Sequence, residues 1–318
     1  VWVLSLLAPA TQLPMLGELA AERRIYLSLA AVTMGVTVGG WNLLERFIPS
    51  PRLKHGLSLG IVAGLMVTLG SLTLQRNADY QSALTIWQDT AEKQPHNSRA
   101  LNNLGVAAWQ QESSPEIADY FHKAAKLNPH YADPHYNLGR IFSEQGQWEK
   151  ALGQYRKALS IEPGSAKVHN NLGNALDHLG QAQEAFEHYK QAVQLSPHLA
   201  QAHYNFGTAL ERQGQLDQAI LHYTQAVQLE PDNADAYNNL GNSLAKQGKH
   251  HEAALEYKKG LELQPNHAKM NRNLGRALLK IGFRDLALRY FSEALRLNPE
   301  DKELAQFLEG IEKKQPTE

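Results

Sequence analysis

A repeat of 34 residues is the feature that most restricts how this chain can fold. The phrase Asn-Leu-Gly, once written Asn-Phe-Gly, recurs six times, and its glycines are always 34 residues apart: Gly105, Gly139, Gly173, Gly207, Gly241 and Gly275. Prolines keep the same interval from Pro95 to Pro299, and alanine and aromatic positions form further series. Fixed periods of about 20–50 residues are typical of solenoids, in which each unit packs on its neighbours.

Each repeat carries the signals of two helices. In residues 132–165, Tyr136 and Leu138 begin a stripe of apolar residues at helical spacing, and Gly146 follows at a point where a left-handed residue can end a helix. A second stripe includes Tyr155, and Pro163 then prevents the second helix from continuing. The pattern predicts an all-α chain built from helical pairs.

The positions of small, aromatic and proline residues resemble the tetratricopeptide repeat (TPR). Six full repeats are predicted, at 98–131, 132–165, 166–199, 200–233, 234–267 and 268–301. The resemblance implies a right-handed superhelix, an α-solenoid whose concave groove is lined by the first helix of each repeat. In the first repeat, Glu112 and Ile117 replace the usual Gly and Ala, so we expect a distorted turn there. Residues 302–318 are predicted to form a capping helix and a tail.

The residues before the repeats have a different composition. Two uncharged stretches, 25–44 and 57–75, are 20 and 19 residues long, and each is long enough to cross a hydrocarbon core of about 30 Å as a helix. The alternative is a pair of buried helices in a soluble protein, but neither stretch keeps the polar stripe of such a helix. We predict a transmembrane segment over 1–76, including the end of one further span, and a half repeat over 77–97 that joins it to the solenoid.

One asparagine in each first helix has no evident role in packing. Asparagine is a weak helix former, whereas its amide can hold a peptide bond through both a donor and an acceptor. The row is similar to the asparagine ladder in the repeat domain of O-GlcNAc transferases, and it predicts a groove for a protein or an extended peptide. The alternative is that these asparagines bond to neighbouring repeats. The predicted groove residues are Asn103, Asn137, Asn171, Asn205, Asn239 and Asn273, with Tyr136 and Tyr204 beside them.

The composition argues against several other functions. A net charge of -1 gives no basic field for nucleic acid, and the absence of cysteine excludes thiolate zinc sites and cysteine nucleophiles. His135, His169 and His203 lie one repeat apart, too far to share a metal ion. We predict no metal, no cofactor and no catalytic residue in this sequence, which leaves open whether it is part of an enzyme.

A second resemblance concerns the membrane segment. The motif Ala-Glu-Arg-Arg-Ile-Tyr at 21–26, followed by repeats, resembles the C-terminal part of the transmembrane-and-TPR O-mannosyltransferases, which use a polyprenyl-phosphate sugar. In such an enzyme Glu22, Arg23, Arg24 and Tyr26 would contact a lipid phosphate. The alternative is that these residues only anchor a helix end.

Two functional hypotheses follow. In the first, the chain is a membrane-anchored TPR scaffold that binds proteins or extended peptides. In the second, it is the acceptor-presenting part of a membrane glycosyltransferase whose catalytic residues precede Val1. The family likeness implies an integral membrane protein, in contact with membrane lipid, whose repeats lie outside the cytoplasm.

Overall fold

The computed structural model describes residues 82–111 and 116–312, together with scattered positions between 50 and 71. Residues 82–312, apart from 112–115, contain fourteen α-helices and no strand. Over these residues, the prediction of an all-α fold built from helical pairs is therefore confirmed. The chain divides into two units, Val1–Ile86 and Trp87–Glu318, and the six helical pairs belong to the second.

The helices have nearly constant lengths from one repeat to the next. Helix α1 covers Ala83–Lys93, and the first pair consists of α2 (Ser98–Gln110) and α3 (Ile117–Leu127). The five later pairs are α4 (Ala132–Glu144) with α5 (Trp148–Ile161), α6 (Ala166–His178) with α7 (Ala182–Leu195), α8 (Ala200–Arg212) with α9 (Leu216–Leu229), α10 (Ala234–Lys246) with α11 (His250–Leu263), and α12 (Ala268–Lys280) with α13 (Arg284–Leu297). Helix α14, Lys302–Glu312, follows the last pair.

The predicted membrane spans lie largely outside the described residues. The stretch 25–44 is not described, and 57–75 is described at only a few positions. Within the described positions, no helix combines the length and the apolar character that a bilayer crossing requires. The transmembrane segment, and the residues Glu22, Arg23, Arg24 and Tyr26 in it, stay predictions.

A glycine in the left-handed conformation ends the first helix of each later repeat. Gly180, for example, has φ 76°, and Gly146, Gly214, Gly248 and Gly282 are alike. The residue after the glycine donates a hydrogen bond back over the helix end; Gln181 N reaches Leu176 O at 2.8 Å. Such a bond satisfies a carbonyl that has lost its helical partner. The predicted role of these glycines as turn residues is confirmed.

The two helices of a repeat approach closely because a small residue faces an aromatic ring. A Cβ added to Gly173 would lie 2.7 Å from Cε1 of Tyr189, whose side chain is buried against the first helix. Gly207 and Tyr223 form the equivalent contact one repeat later. The ring occupies the space that any larger side chain at the glycine would need. The same pairing recurs in each repeat. One core cluster runs from Ala151 to Leu308, and a separate cluster surrounds Phe121 of the first repeat.

The second helix of the first repeat is shorter than those of the others. It has 11 residues and starts at Ile117, whereas the second helices of the later repeats have 14. Glu112 lies outside the described residues, so the expected distortion of the turn itself stays a prediction. Each first helix also contacts the first helix of the next repeat. Helices α2, α4, α6, α8, α10 and α12 thus form one continuous side, called the first-helix surface below.

Candidate peptide-binding groove

The predicted asparagines all lie on the first-helix surface. Asn137 is buried with 6% of its surface exposed, and the other five are partly exposed. Each is followed by a buried Leu or Phe, which anchors the helix in the core, and by the glycine that contacts the aromatic ring. Helical geometry therefore turns the asparagine away from the core contact made by its two neighbours.

The asparagines form a hydrogen-bonded ladder between repeats. The side-chain amide of each asparagine from the second repeat onward donates to a residue 35 positions earlier: Asn137 to Asn102 at 3.0 Å, Asn171 to Tyr136 at 3.4 Å, Asn205 to Asn170 at 2.9 Å, Asn239 to Tyr204 at 3.1 Å and Asn273 to Asn238 at 3.2 Å. The acceptors alternate between Asn and Tyr, which gives the ladder a true period of two repeats.

The ladder leaves part of the Asn171 amide unused. Asn171 donates one hydrogen to Tyr136 and accepts one from Asn170 at 3.1 Å. An asparagine amide offers two hydrogens and two lone pairs, so one donor and one acceptor remain. Bonds between neighbouring repeats were the alternative to peptide binding, and the structure shows that those bonds exist. They are compatible with a ligand contact at the partly exposed asparagines.

A second row links the buried tyrosines to charges on the first-helix surface. The Tyr189 hydroxyl donates to Asp177 Oδ2 at 3.0 Å, and Arg212 of the next repeat binds the same carboxylate at 2.5 Å. One repeat later, the Tyr223 hydroxyl donates to Glu211 at 3.0 Å and Lys246 binds that carboxylate at 2.7 Å. The base again stands 35 residues after its acid. Sequence reasoning missed this row because each base meets its acid only across repeats.

Burial governs the titration of these tyrosines. Burial, followed by the charge of Asp177, raises the pKa of Tyr189 far above its ordinary value, and burial raises the pKa of Tyr155 to about 12. Burial also raises the pKa of Tyr136 and of Tyr204. All four hydroxyls are therefore protonated at neutral pH, and those on the groove can act as hydrogen-bond donors.

Two pockets open on the first-helix surface. The first, of about 310 Å³, is lined by groups that include Asp177, Tyr204, Asn205 and Arg212. The second, of about 340 Å³, is lined by groups that include Glu211, Asn242, Asn273, Arg276 and Lys280. The first pocket, with its mainly polar lining, suits a peptide better than an apolar small molecule, because apolar ligands need an apolar lining. The second pocket combines charged and amide side chains with Ala245 and Ala277.

Two of the histidines that recur at the repeat spacing are paired between the two helices of a repeat. Nδ1 of His203 lies 2.9 Å from Nδ1 of His222, and Nε2 of His203 lies 3.1 Å from the carbonyl of Pro197. A carbonyl only accepts, so Nε2 carries a proton and the neutral His203 accepts at Nδ1 from His222. His169 and His188 repeat this pair at 2.9 Å. Among the residues that the structure describes, no three His, Cys, Asp or Glu side chains are grouped as a metal site would require.

Family models identify the repeats. Models of the TPR repeat match 139–177, 178–214 and 212–248, and models of the tetratricopeptide repeat match 71–132, 120–153, 234–267 and 272–308. No curated protein sequence matches the chain. The resemblance to O-mannosyltransferases accordingly stays a prediction.

Solved structures share the solenoid. YrrB, described as a TPR protein with an unusual peptide-binding site, is 27% identical, with a TM-score of 0.54 over 61% of this chain and 99% of its own. PilF of Pseudomonas aeruginosa is 23% identical, with a TM-score of 0.61 over 67% of this chain and 97% of its own. PilW, a type IV pilus biogenesis factor, is 21% identical, with a TM-score of 0.57 over 66% of this chain and 98% of its own. The matched part of this chain is built of tetratricopeptide repeats.

Proposed function

We propose that this chain is a scaffold that binds an extended peptide or a protein segment along its first-helix surface. The asparagine row carries the proposal, since partly exposed amides with unused donors and acceptors recur at the spacing of the repeats. Amides can bind backbone groups of any sequence, so the row would hold a peptide without selecting its side chains. The likeness to YrrB, a TPR protein with a peptide-binding site, supports the same function.

The ladder determines how this proposal must be tested. Removing a groove asparagine also removes a bond between repeats, so a loss of binding alone would not separate a contact from a structural role. Asn170 and Asn171 provide a matched pair, because both belong to the ladder but Asn170 is only 5% exposed and Asn171 is partly exposed. A ligand can reach the second and not the first.

The experiment selects peptides from a random phage-displayed library on the full chain and measures their Kd for Asn170→Ala and Asn171→Ala. We expect Asn171→Ala to raise Kd about fivefold, the equivalent of about 1 kcal/mol for one hydrogen bond. Asn170→Ala should leave Kd within about twofold under conditions where both variants are folded by circular dichroism. Equal losses in the two variants would show that the asparagines serve only the ladder.

The membrane anchor and the position of the repeats outside the cytoplasm are further parts of this proposal. They rest on the two uncharged stretches, 25–44 and 57–75, and on the family likeness. Carbonate extraction of membranes from cells that express the chain tests the anchor, and protease access to the repeats in sealed cells tests the side. Release of the chain by carbonate, or protection of the repeats from external protease, would contradict the respective statement.

The glycosyltransferase hypothesis makes a different prediction. If the repeats present an acceptor polypeptide, the motif at 21–26 contacts a polyprenyl phosphate, and Arg23→Gln with Arg24→Gln should lower binding of polyprenyl phosphate in liposomes. Peptide binding at the groove should be unchanged in that variant. Unaltered lipid binding would leave the scaffold as the function of this chain.

A further inference from the structure

The row of ion pairs on the first-helix surface contains two pairs, and the next base in the row, Lys280, has no acid at the corresponding position. Arg212 pairs with Asp177, and Lys246 pairs with Glu211, in each case a base with the acid 35 residues before it. Lys280 is the next base in the row, and the position 35 residues before it is Ala245. The position that would supply an acid to Lys280 is therefore occupied by an alanine.

The surroundings of Lys280 do not replace that acid. The pocket that it shares with Arg276, Lys246 and His250 contains one carboxylate, Glu211. Glu211 already binds Lys246 with one oxygen and the Tyr223 hydroxyl with the other. Within residues 82–111 and 116–312, Lys280 and Arg276 have no ion pair or side-chain hydrogen bond, and both are exposed.

Further hydrogen-bonding groups complete the pocket. The amide of Asn273 donates to Asn242 Oδ1 at 3.0 Å, and the Tyr257 hydroxyl donates to the same oxygen at 2.8 Å. Nδ1 of His250 is buried and has no hydrogen-bond partner among the described residues. The pocket thus combines two cations that lack an ion pair among the described residues with hydrogen-bonding groups, beside the small side chain of Ala245.

We propose that this pocket binds a side-chain carboxylate, Asp or Glu, of the bound peptide, which occupies the place of the missing acid. The two acids that complete the earlier steps of the row are side-chain carboxylates, and an Ala at 245 leaves room for a third supplied by the ligand. Lys280 and Arg276 bind it by charge-assisted hydrogen bonds. The groove therefore selects an acidic residue at its C-terminal end. This inference rests on the proposed peptide-binding function.

The test uses three short oligopeptides as probes for the full chain. The first is an oligo-glutamate with both ends blocked, the second an oligo-glutamine with both ends blocked, and the third an oligo-glutamine with a free C-terminal carboxylate. We expect the oligo-glutamate to bind about tenfold more tightly than the blocked oligo-glutamine, equivalent to about 1.4 kcal/mol. The preference should fall as salt screens the exposed cations.

Variants assign the preference to the pocket. Lys280→Gln combined with Arg276→Gln should abolish it, whereas Lys258→Gln, an exposed lysine on the second helix α11, should retain it. Ala245→Glu supplies the missing acid to Lys280 and should also abolish it, with each variant shown to be folded by its unfolding curve. One variant removes two cations and the other adds a carboxylate while keeping both cations, so a common loss cannot come from one damaged contact.

Three results would overturn the inference. The first is a Kd for oligo-glutamate equal to that of blocked oligo-glutamine, and the second is a preference for oligo-glutamate that survives in the Lys280 and Arg276 variant. The third is that oligo-glutamine with a free C-terminal carboxylate binds as tightly as oligo-glutamate. If all three probes bind equally and Asn171→Ala weakens them, peptide binding stands and acidic selection fails. If none binds, both fail.

Discussion

The hydroxyl of Tyr189 donates a hydrogen bond of 3.0 Å to the carboxylate of Asp177, so a core residue of the second helix reaches the first-helix surface. The ring fills the space beside Gly173, and the hydroxyl emerges where Arg212 of the next repeat binds the same carboxylate. One side chain thus couples packing within a repeat to pairing between repeats.

Tyr189→Phe should lower the free energy of unfolding by about 1–2 kcal/mol, because a hydrogen bond to a charged group is lost while Arg212 still pairs with Asp177. Phe is compatible with this position, since Phe291 occupies it in the last repeat. Tyr257→Phe is the matched control, because its hydroxyl bonds to the neutral Asn242. Urea unfolding measures both, and an equal or smaller loss in Tyr189→Phe would contradict the role of the carboxylate.

Gly173→Ala should destabilise the chain by about 1–3 kcal/mol, because the added methyl would overlap the buried Tyr189 ring and overpacking of a core costs that much. Gly153→Ala provides the contrast. Gly153 lies on α5, and a Cβ there meets no atom within 4 Å. Its replacement should stabilise the helix by about 0.5–1 kcal/mol, the difference in helix propensity. A melting temperature for Gly173→Ala at or above that of the unaltered chain would refute the steric account.

Gly214→Ala should cost about 1 kcal/mol, because φ is 77° at this turn and L-residues pay a steric penalty in the left-handed region. No atom lies within 4 Å of the added Cβ, so the cost comes from the backbone alone. Gly164→Ala, also in an open turn but without a positive φ, should change stability by less than about half as much. Denaturant midpoints that fall equally in both would exclude the backbone explanation.

The paired histidines should make the chain sensitive to acid. Burial, followed by the neighbouring His203, lowers the pKa of His222 to about 4, and burial also lowers the pKa of His203 and His188. For His188, His169 and Arg156 act in the same direction, while Glu184 and Glu187 act against it. Protonating both rings of a pair would direct two N–H groups at each other across 2.9 Å.

The sign of the pH effect follows from these directions. The unfolded chain binds protons on His222 below about pH 6.5, its ordinary pKa, while the folded chain resists them. This part of the stability is fully present above about pH 6.5 and is lost as the pH falls toward about 4. His222→Gln should reduce the loss of stability at low pH, because a glutamine fits this position: Gln154 occupies it two repeats earlier and bonds to His135. Replacing the exposed His198 by Gln should leave the loss unchanged. Thermal unfolding at several pH values decides between them.

The period of 34 residues by itself determined the helical architecture. The stripes of apolar residues, the left-handed glycines and the facing of glycine by an aromatic ring are local or lie within one repeat, so spacing along the chain predicts them. Gly180 and Tyr189 show this, because both have the roles that their positions in the repeat indicate. The choice of asparagines as groove residues came from the same regularity, together with the unsuitability of Asn for a helix interior.

Only the tertiary structure decided which of these polar side chains are already occupied. Asn137 is buried while Asn171 is partly exposed, although both occupy one position of the repeat. The hydrogen bonds of the ladder and the ion pairs join residues 35 positions apart. They depend on how the first helices stack, which no local sequence pattern predicts. The role proposed for Ala245 also depends on that stacking. The sequence alone does not show that Ala245 stands where an acid would pair with Lys280.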